Sequence, residues 1–130
     1  MTEALDRCHT SYVTMSVLIV DDHPSFRATA RVLLESEGFD VIGEAEDGST
    51  ALEAVAALHP QIVLLDVQLP DLDGFEVAAR LSELNGCGPA VILTSSRDRV
   101  DFGSLVEESG ARGFVPKAEL SGAALLSLLN

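Results

Sequence analysis

The 130-residue chain has no tryptophan, one tyrosine, two cysteines and a single lysine, Lys117. Two cysteines cannot make a disulfide scaffold. Ten Gly and five Pro beside 47 % apolar residues do not suit a disordered chain. No apolar run approaches the ~18 residues of a membrane span. Positive charge is scarcest of all: eight Lys and Arg stand against 21 Asp and Glu, a net charge of −13. Direct nucleic acid binding needs a basic face. Only Arg97 and Arg99 come close together, and Asp98 and Asp101 dilute them. An acidic surface of this kind favours solubility and repels polyanions.

The length suits one domain that buries roughly two-thirds of its unfolded surface. Residues 1–14 (MTEALDRCHTSYVT) show no sustained periodicity. They are expected to form a flexible N-terminal extension ahead of a domain spanning 15–130. They lack the basic start and apolar stretch of a secretory leader. Cys8 and His9 are adjacent and have no second pair to complete a zinc site. Cys87 falls in the loop Asn85-Gly86-Cys87-Gly88-Pro89. Unpaired thiols without a leader predict a reducing, cytoplasmic setting.

From Ser16 onward, short apolar runs alternate with helical patterns. Val17–Val20, Val41–Ala45, Ile62–Leu65, Ala90–Leu93 and Gly113–Val115 read as strands. The Val17–Val20 run is continuous rather than alternating, as in a strand buried on both faces. Helices are predicted between them. Pro24 starts the first and Gly38 ends it. Thr50 with Glu53, or Ser49, caps the second, and His59-Pro60 closes it. The third spans Gly74–Leu84. The fourth, Arg97–Ser109, is the weakest by pattern. The fifth spans Glu119–Leu129, with Ser121 and Gly122 able to delay its start. Five strands alternating with five helices predict a parallel α/β sheet covered on both faces. The last helix ends the chain with no linker behind it, which leans toward a stand-alone protein over a domain cut from a larger DNA-binding protein.

In such sheets ligands bind beyond the carboxyl ends of the strands. Asp21 and Asp22 follow strand one, Asp66 ends strand three, Thr94 ends strand four and Lys117 follows strand five. Any one of these acids is unremarkable, since Asp22 alone reads most simply as a helix cap. Together they make a chemistry. Clustered carboxylates repel one another and call for a cation, and all-oxygen ligands with room for water suit Mg²⁺. A carboxylate can act as nucleophile and form an acyl phosphate. A lysine and a threonine hydroxyl can meet phosphate oxygens.

On these residues the chain resembles the receiver domain of two-component response regulators over roughly residues 16–130. The resemblance rests on Asp21-Asp22 after Val17–Val20, Asp66 in LLDVQLPDLDG, Thr94 in VILTSS, and Lys117 in GFVPK. It implies a flavodoxin-like (βα)5 fold with strand order 2-1-3-4-5. It implies Asp66 as phosphoacceptor, fed by a sensor histidine kinase or a histidine phosphotransfer protein. It implies Mg²⁺ held by Asp22, Asp66 and the backbone carbonyl of Gln68, with Asp21 acting mainly through water. Thr94 and Lys117 then meet the phosphoryl group, and Phe114 is the aromatic switch that turns inward as Thr94 moves. The family's output face is helix four, strand five and helix five, and homodimerisation on phosphorylation is compatible with it.

The match has departures. Pro116 precedes Lys117, where many receivers carry a proline after the lysine. Ser95 replaces a smaller residue after the switch threonine, a bulk expected to narrow access to the phosphoryl group. Gln68 and Ser96 border the site. Two rivals remain at this stage. A pseudo-receiver would share the fold without phosphorylation. A dehalogenase-like phosphatase would use Asp71-Leu72-Asp73-Gly74, but that motif follows Leu69-Pro70 rather than an apolar strand, and Asp73 with Glu76 reads as a helix cap. His23 and His59 read as helix-end residues, and Arg97 and Arg99 as a solvated face.

Overall fold

The computed structural model describes residues 15–84, 88–97 and 99–129. The expected extension 1–14, with Cys8, His9 and Tyr12, lies outside the described residues, as do Asn85, Gly86, Cys87 and Asp98. Five parallel strands form one sheet in the order β2-β1-β3-β4-β5. They are β1 (Ser16–Val20), β2 (Asp40–Ala45), β3 (Ile62–Asp66), β4 (Ala90–Ser95) and β5 (Gly113–Pro116). The expected flavodoxin-like order is the observed one.

Alternation along each strand divides the core in two. Val17, Ile19, Ile62, Leu64, Ile92 and Val115 face one side. There α1 (Pro24–Ser36) supplies Ala30 and Leu34, and α5 (Gly122–Leu129) supplies Leu125. Leu18, Val20, Val63, Leu65, Val91, Leu93 and Phe114 face the other side. They meet Ala51 and Val55 of α2 (Gly48–Leu58) and Val77, Ala78 and Leu81 of α3 (Gly74–Ser82). Both faces are covered, so the central strands β1 and β3 are apolar over Val17–Val20 and Ile62–Leu65, while edge strand β2 keeps Asp40 and Glu44 exposed.

Several local expectations shift. The capping box of α2 belongs to Asp47 and Thr50: Thr50 N donates to Asp47 Oδ1 at 2.8 Å, and Asp47 N donates to Thr50 Oγ1 at 3.4 Å. A carboxylate is available two residues before Ser49 and three before Thr50, the expected caps, so the helix starts there. The α3 helix ends at Ser82 rather than Leu84. The expected fourth helix is broken. A 3₁₀ turn (Arg99–Phe102) precedes a four-residue α4 (Leu105–Glu108), and Gly103 between them takes a left-handed φ of +58° that ends the first turn. The fifth helix starts at Gly122, because Lys117–Glu119 form a separate 3₁₀ turn and Ser121 Oγ accepts from Ala124 N at 3.0 Å. His59 does close α2, in the left-handed region at φ +50°. The Val115–Pro116 bond is trans.

Candidate functional site

The carboxyl ends of β1, β3, β4 and β5 converge on one edge. Asp21 continues β1 and donates its amide to Ala45 O at 3.0 Å. Asp66 is the last residue of β3 and the register partner of Thr94 on β4. Lys117 follows β5 directly. A cleft of about 250 Å³ opens among these ends, lined by Asp22, His23, Asp66, Gln68, Leu69, Pro70, Ser95, Ser96 and Lys117.

The loop from β3 to α3 is folded tightly back onto the acid that precedes it. Val67 N donates to Thr94 O at 3.0 Å, and Gly74 N donates to Val67 O at 2.7 Å. A Cβ at Gly74 would lie 2.3 Å from the carbonyl oxygen of Asp66 and 2.7 Å from Val67 Cα, so this approach requires glycine. Asp73 caps α3 by accepting from Phe75 N at 2.6 Å. Asp71 accepts from Gly48 N at 2.7 Å, Ser49 N at 3.0 Å and Leu72 N at 2.7 Å, which ties the loop to the start of α2. The backbone N–H of Gly48 leads the causes that hold Asp71 below its ordinary pKa. The phosphatase-like motif is therefore structural: both of its acids are engaged by backbone amides, and neither lines the cleft.

Two buried carboxylates share one ammonium. Lys117 Nζ lies 2.6 Å from Asp21 Oδ2 and 3.3 Å from Asp66 Oδ2. The first contact is an ion pair that leaves buried Asp21 Oδ2 without a well-directed hydrogen bond. Asp21 Oδ1 accepts from His23 N at 2.8 Å. The His23 ring bridges outward, with Nδ1 2.9 Å from Asp21 Oδ1 and 3.1 Å from Asp22 Oδ1. Asp66 Oδ1 accepts from Gln68 N at 3.1 Å.

These surroundings separate the two acids. Burial pushes the Asp21 pKa up, but Lys117 and the His23 amide outweigh it and hold the group below its ordinary value. Burial also pushes Asp66 up, Asp21 repels its charge, and Gln68 N–H and Lys117 only partly compensate, so Asp66 rises to about 6. A carboxylate with a pKa of about 6 is mostly ionised at neutral pH.

Asp21, Asp22, His23 and Asp66 each offer a ligand atom, all within 4.8 Å of one another. Three hard carboxylates, two of them buried, fit a small oxygen-seeking dication such as Mg²⁺.

The remaining expected residues occupy the same edge but face elsewhere. Thr94 is buried, and its Oγ1 donates to Val115 O at 2.7 Å. Ser95 and Ser96, rather than Thr94, line the cleft. Phe114 is buried, with its ring 5.6 Å from that of Phe102, which lies 5.6 Å from Phe75. Sequence reasoning missed two polar supports. Arg27 Nη1 donates to Asp21 O at 2.6 Å while its Nε donates to Glu44 at 3.0 Å, and the Asp71 clamp is described above. Both join residues from different elements, and no spacing rule signals either.

Residues 17–129 match the family described as response regulator receiver domain. A putative transcriptional regulator of Pseudomonas aeruginosa is 41 % identical over 103 residues, covering 79 % of this chain and 49 % of the relative. The virulence factors putative positive transcription regulator BvgA of Bordetella pertussis is 45 % identical over 103 residues, with the same coverages of 79 % and 49 %. The chain thus spans about half the length of these curated relatives. Among solved structures, the signal receiver domain of the putative response regulator NarL from Mycobacterium tuberculosis superposes with a TM-score of 0.78 at 34 % identity, covering 90 % of this chain and 98 % of that one. The BeF3-activated N-terminal receiver domain of Klebsiella pneumoniae RstA gives a TM-score of 0.73 at 30 % identity, covering 88 % and 94 %.

Proposed function

The chain belongs to the response regulator receiver domain family, and from that premise we propose that Asp66 accepts a phosphoryl group from a phosphohistidine of a sensor kinase or phosphotransfer protein. An Asp66 carboxylate oxygen attacks phosphorus. The phosphorus–nitrogen bond of the donor breaks, and the imidazole nitrogen keeps the electron pair and takes up a proton. The product is an aspartyl phosphate. The observation that carries this proposal is the setting of Asp66: 4 % exposed, open to the cleft, and 3.3 Å from the ammonium of the chain's single lysine.

Asp22, Asp66 and the Gln68 carbonyl would hold Mg²⁺, with Asp21 behind them. Bound there, the ion would neutralise charge on the transferring group. Lys117 pairs with a phosphoryl oxygen and keeps the acidic floor from repelling it. Thr94 Oγ1 turns from Val115 O to donate to the phosphoryl group. Phe114 packs into the space behind it and stabilises the phosphorylated arrangement. The face formed by α4, β5 and α5 then changes its affinity for a partner, which can be a second copy of the chain. The broken α4 region, with few buried side chains, suits a movable element. The domain is thus a signalling phosphoacceptor that assists its own phosphorylation and dephosphorylation, at work in the cytoplasm. Among the described residues no helix is long and apolar enough to cross a membrane.

The test is intact mass after incubation with acetyl phosphate, with and without Mg²⁺, beside Asp66→Asn. A Mg²⁺-dependent gain of one phosphoryl group that the variant lacks is expected. Labelling retained in the variant overturns the Asp66 assignment. No gain from acetyl phosphate or from a phosphorylated histidine kinase favours a receiver fold used only for binding.

A further inference from the structure

Phe26 stands in the first turn of α1, and the centroid of its ring lies 4.4 Å from Lys117 Nζ. The ring is partly buried and packs against the core beneath α1 and α5. Asp21, Asp66 and the ring together leave the lysine side chain only 17 % exposed. We propose that Phe26 is a positioning residue that confines the Lys117 ammonium to the cleft. This rests on the pairing of Lys117 with a phosphoryl group proposed above.

An ammonium on a flexible four-carbon stem is strongly hydrated and tends to swing outward. In a chain of net charge −13 it also has surface carboxylates to choose from. A ring face attracts a cation through its quadrupole. It does so without accepting a conventional hydrogen bond and without adding negative charge. A third carboxylate in this position would hold the lysine more firmly. It would also occupy an N–H donor and repel an incoming phosphoryl group. An aromatic wall restrains the cation while leaving a donor free for an oxyanion.

The single lysine makes the test selective, since lysine labelled with ¹³C reports one side chain. In the unphosphorylated protein with EDTA, the ε-methylene signals of Lys117 are expected upfield, from the ring current of Phe26. Phe26→Leu keeps an apolar side chain against the core and should return them toward the position of free lysine. Phe26→Tyr should keep them upfield. The rate of labelling by acetyl phosphate and Mg²⁺ should fall about two- to fivefold in Phe26→Leu, the range to which ~0.5–1 kcal/mol converts, and stay near wild type in Phe26→Tyr. Signals that Phe26→Leu does not move overturn the proposal. So does a shift in the signals with no change in labelling rate, or a loss in Phe26→Tyr equal to that in Phe26→Leu. Failure of the wild type to accept phosphate sinks the phosphoacceptor proposal, and the spectra still decide whether the ring confines the lysine.

Discussion

Thr94 and Asp66 are register partners on adjacent strands, yet the threonine hydroxyl is committed to the strand on its other side, donating to Val115 O at 2.7 Å. The pair that the proposed switch must connect is therefore held apart by a buried hydrogen bond. Phosphorylation at Asp66 has to compete with that bond for the same donor.

Thr94→Val keeps the volume and removes the donor. It should destabilise the resting fold by about 1–2 kcal/mol, because Val115 O loses a buried partner. Urea denaturation checks this. The same variant should accept phosphate yet show smaller amide shifts around β5 than wild type on phosphorylation.

Lys117→Met leaves Asp21 and Asp66 buried together without their cation. In the wild type Asp21 sits below its ordinary pKa of 3.8, and Lys117 leads the groups that lower it against burial. A depressed acid contributes stability above its unfolded pKa and loses it as pH falls through the folded one. The variant lacks that contribution. It should be less stable by on the order of 3 kcal/mol at pH 7, and the deficit should shrink toward pH 4 because the two buried acids, without a cation, take up protons there, while the wild-type Asp21 contribution is lost only below 3.8. Denaturation in EDTA at the two pH values measures it.

Asp66→Asn should act in the opposite sense. The folded pKa of Asp66, about 6, lies above the ordinary 3.8, so the native state holds this proton more tightly than the unfolded chain. The linked stability is present at low pH and is lost as pH rises from about 4 through 6. Removing the charge should therefore stabilise the metal-free protein at pH 7, by on the order of 1–3 kcal/mol, and much less at pH 4. Melting in EDTA across this window decides. A variant less stable than wild type at pH 7 would show that the Lys117 contact outweighs burial.

Gly74→Ala places a Cβ against the Asp66 carbonyl and the Val67 backbone, and neither can move as a side chain would. A loss of about 1–3 kcal/mol is expected, with the β3–α3 loop displaced. Thermal unfolding measures the first, and amide exchange at Val67 and Gly74 the second.

Asp71→Asn weakens a carboxylate clamp on the amides of Gly48 and Ser49. Those two amides should exchange faster while the buried strands exchange as before, which hydrogen exchange resolves residue by residue.

The strands and the acids at their ends were legible because they follow from local periodicity, while the strand order was legible only through the family resemblance. A four-residue apolar run buried on both faces leaves its polar chemistry to the residue that follows, and Asp21 and Asp66 stand there, with Lys117 just beyond β5. The cap at Asp47 and the break at Gly103 were missed because neighbouring residues had similar propensities, and final packing chose between them. Position along the chain says which side chains reach the cleft edge, but not which way they turn there. The Thr94 hydroxyl facing Val115, the Asp71 clamp on α2 and the Phe26 ring under Lys117 all join residues far apart in sequence. They form only when helices and loops dock on the sheet, because each is a contact between elements rather than a property of one. In this protein the sequence by itself determined which groups meet at the sheet edge, and the tertiary structure decided which of them hold one another.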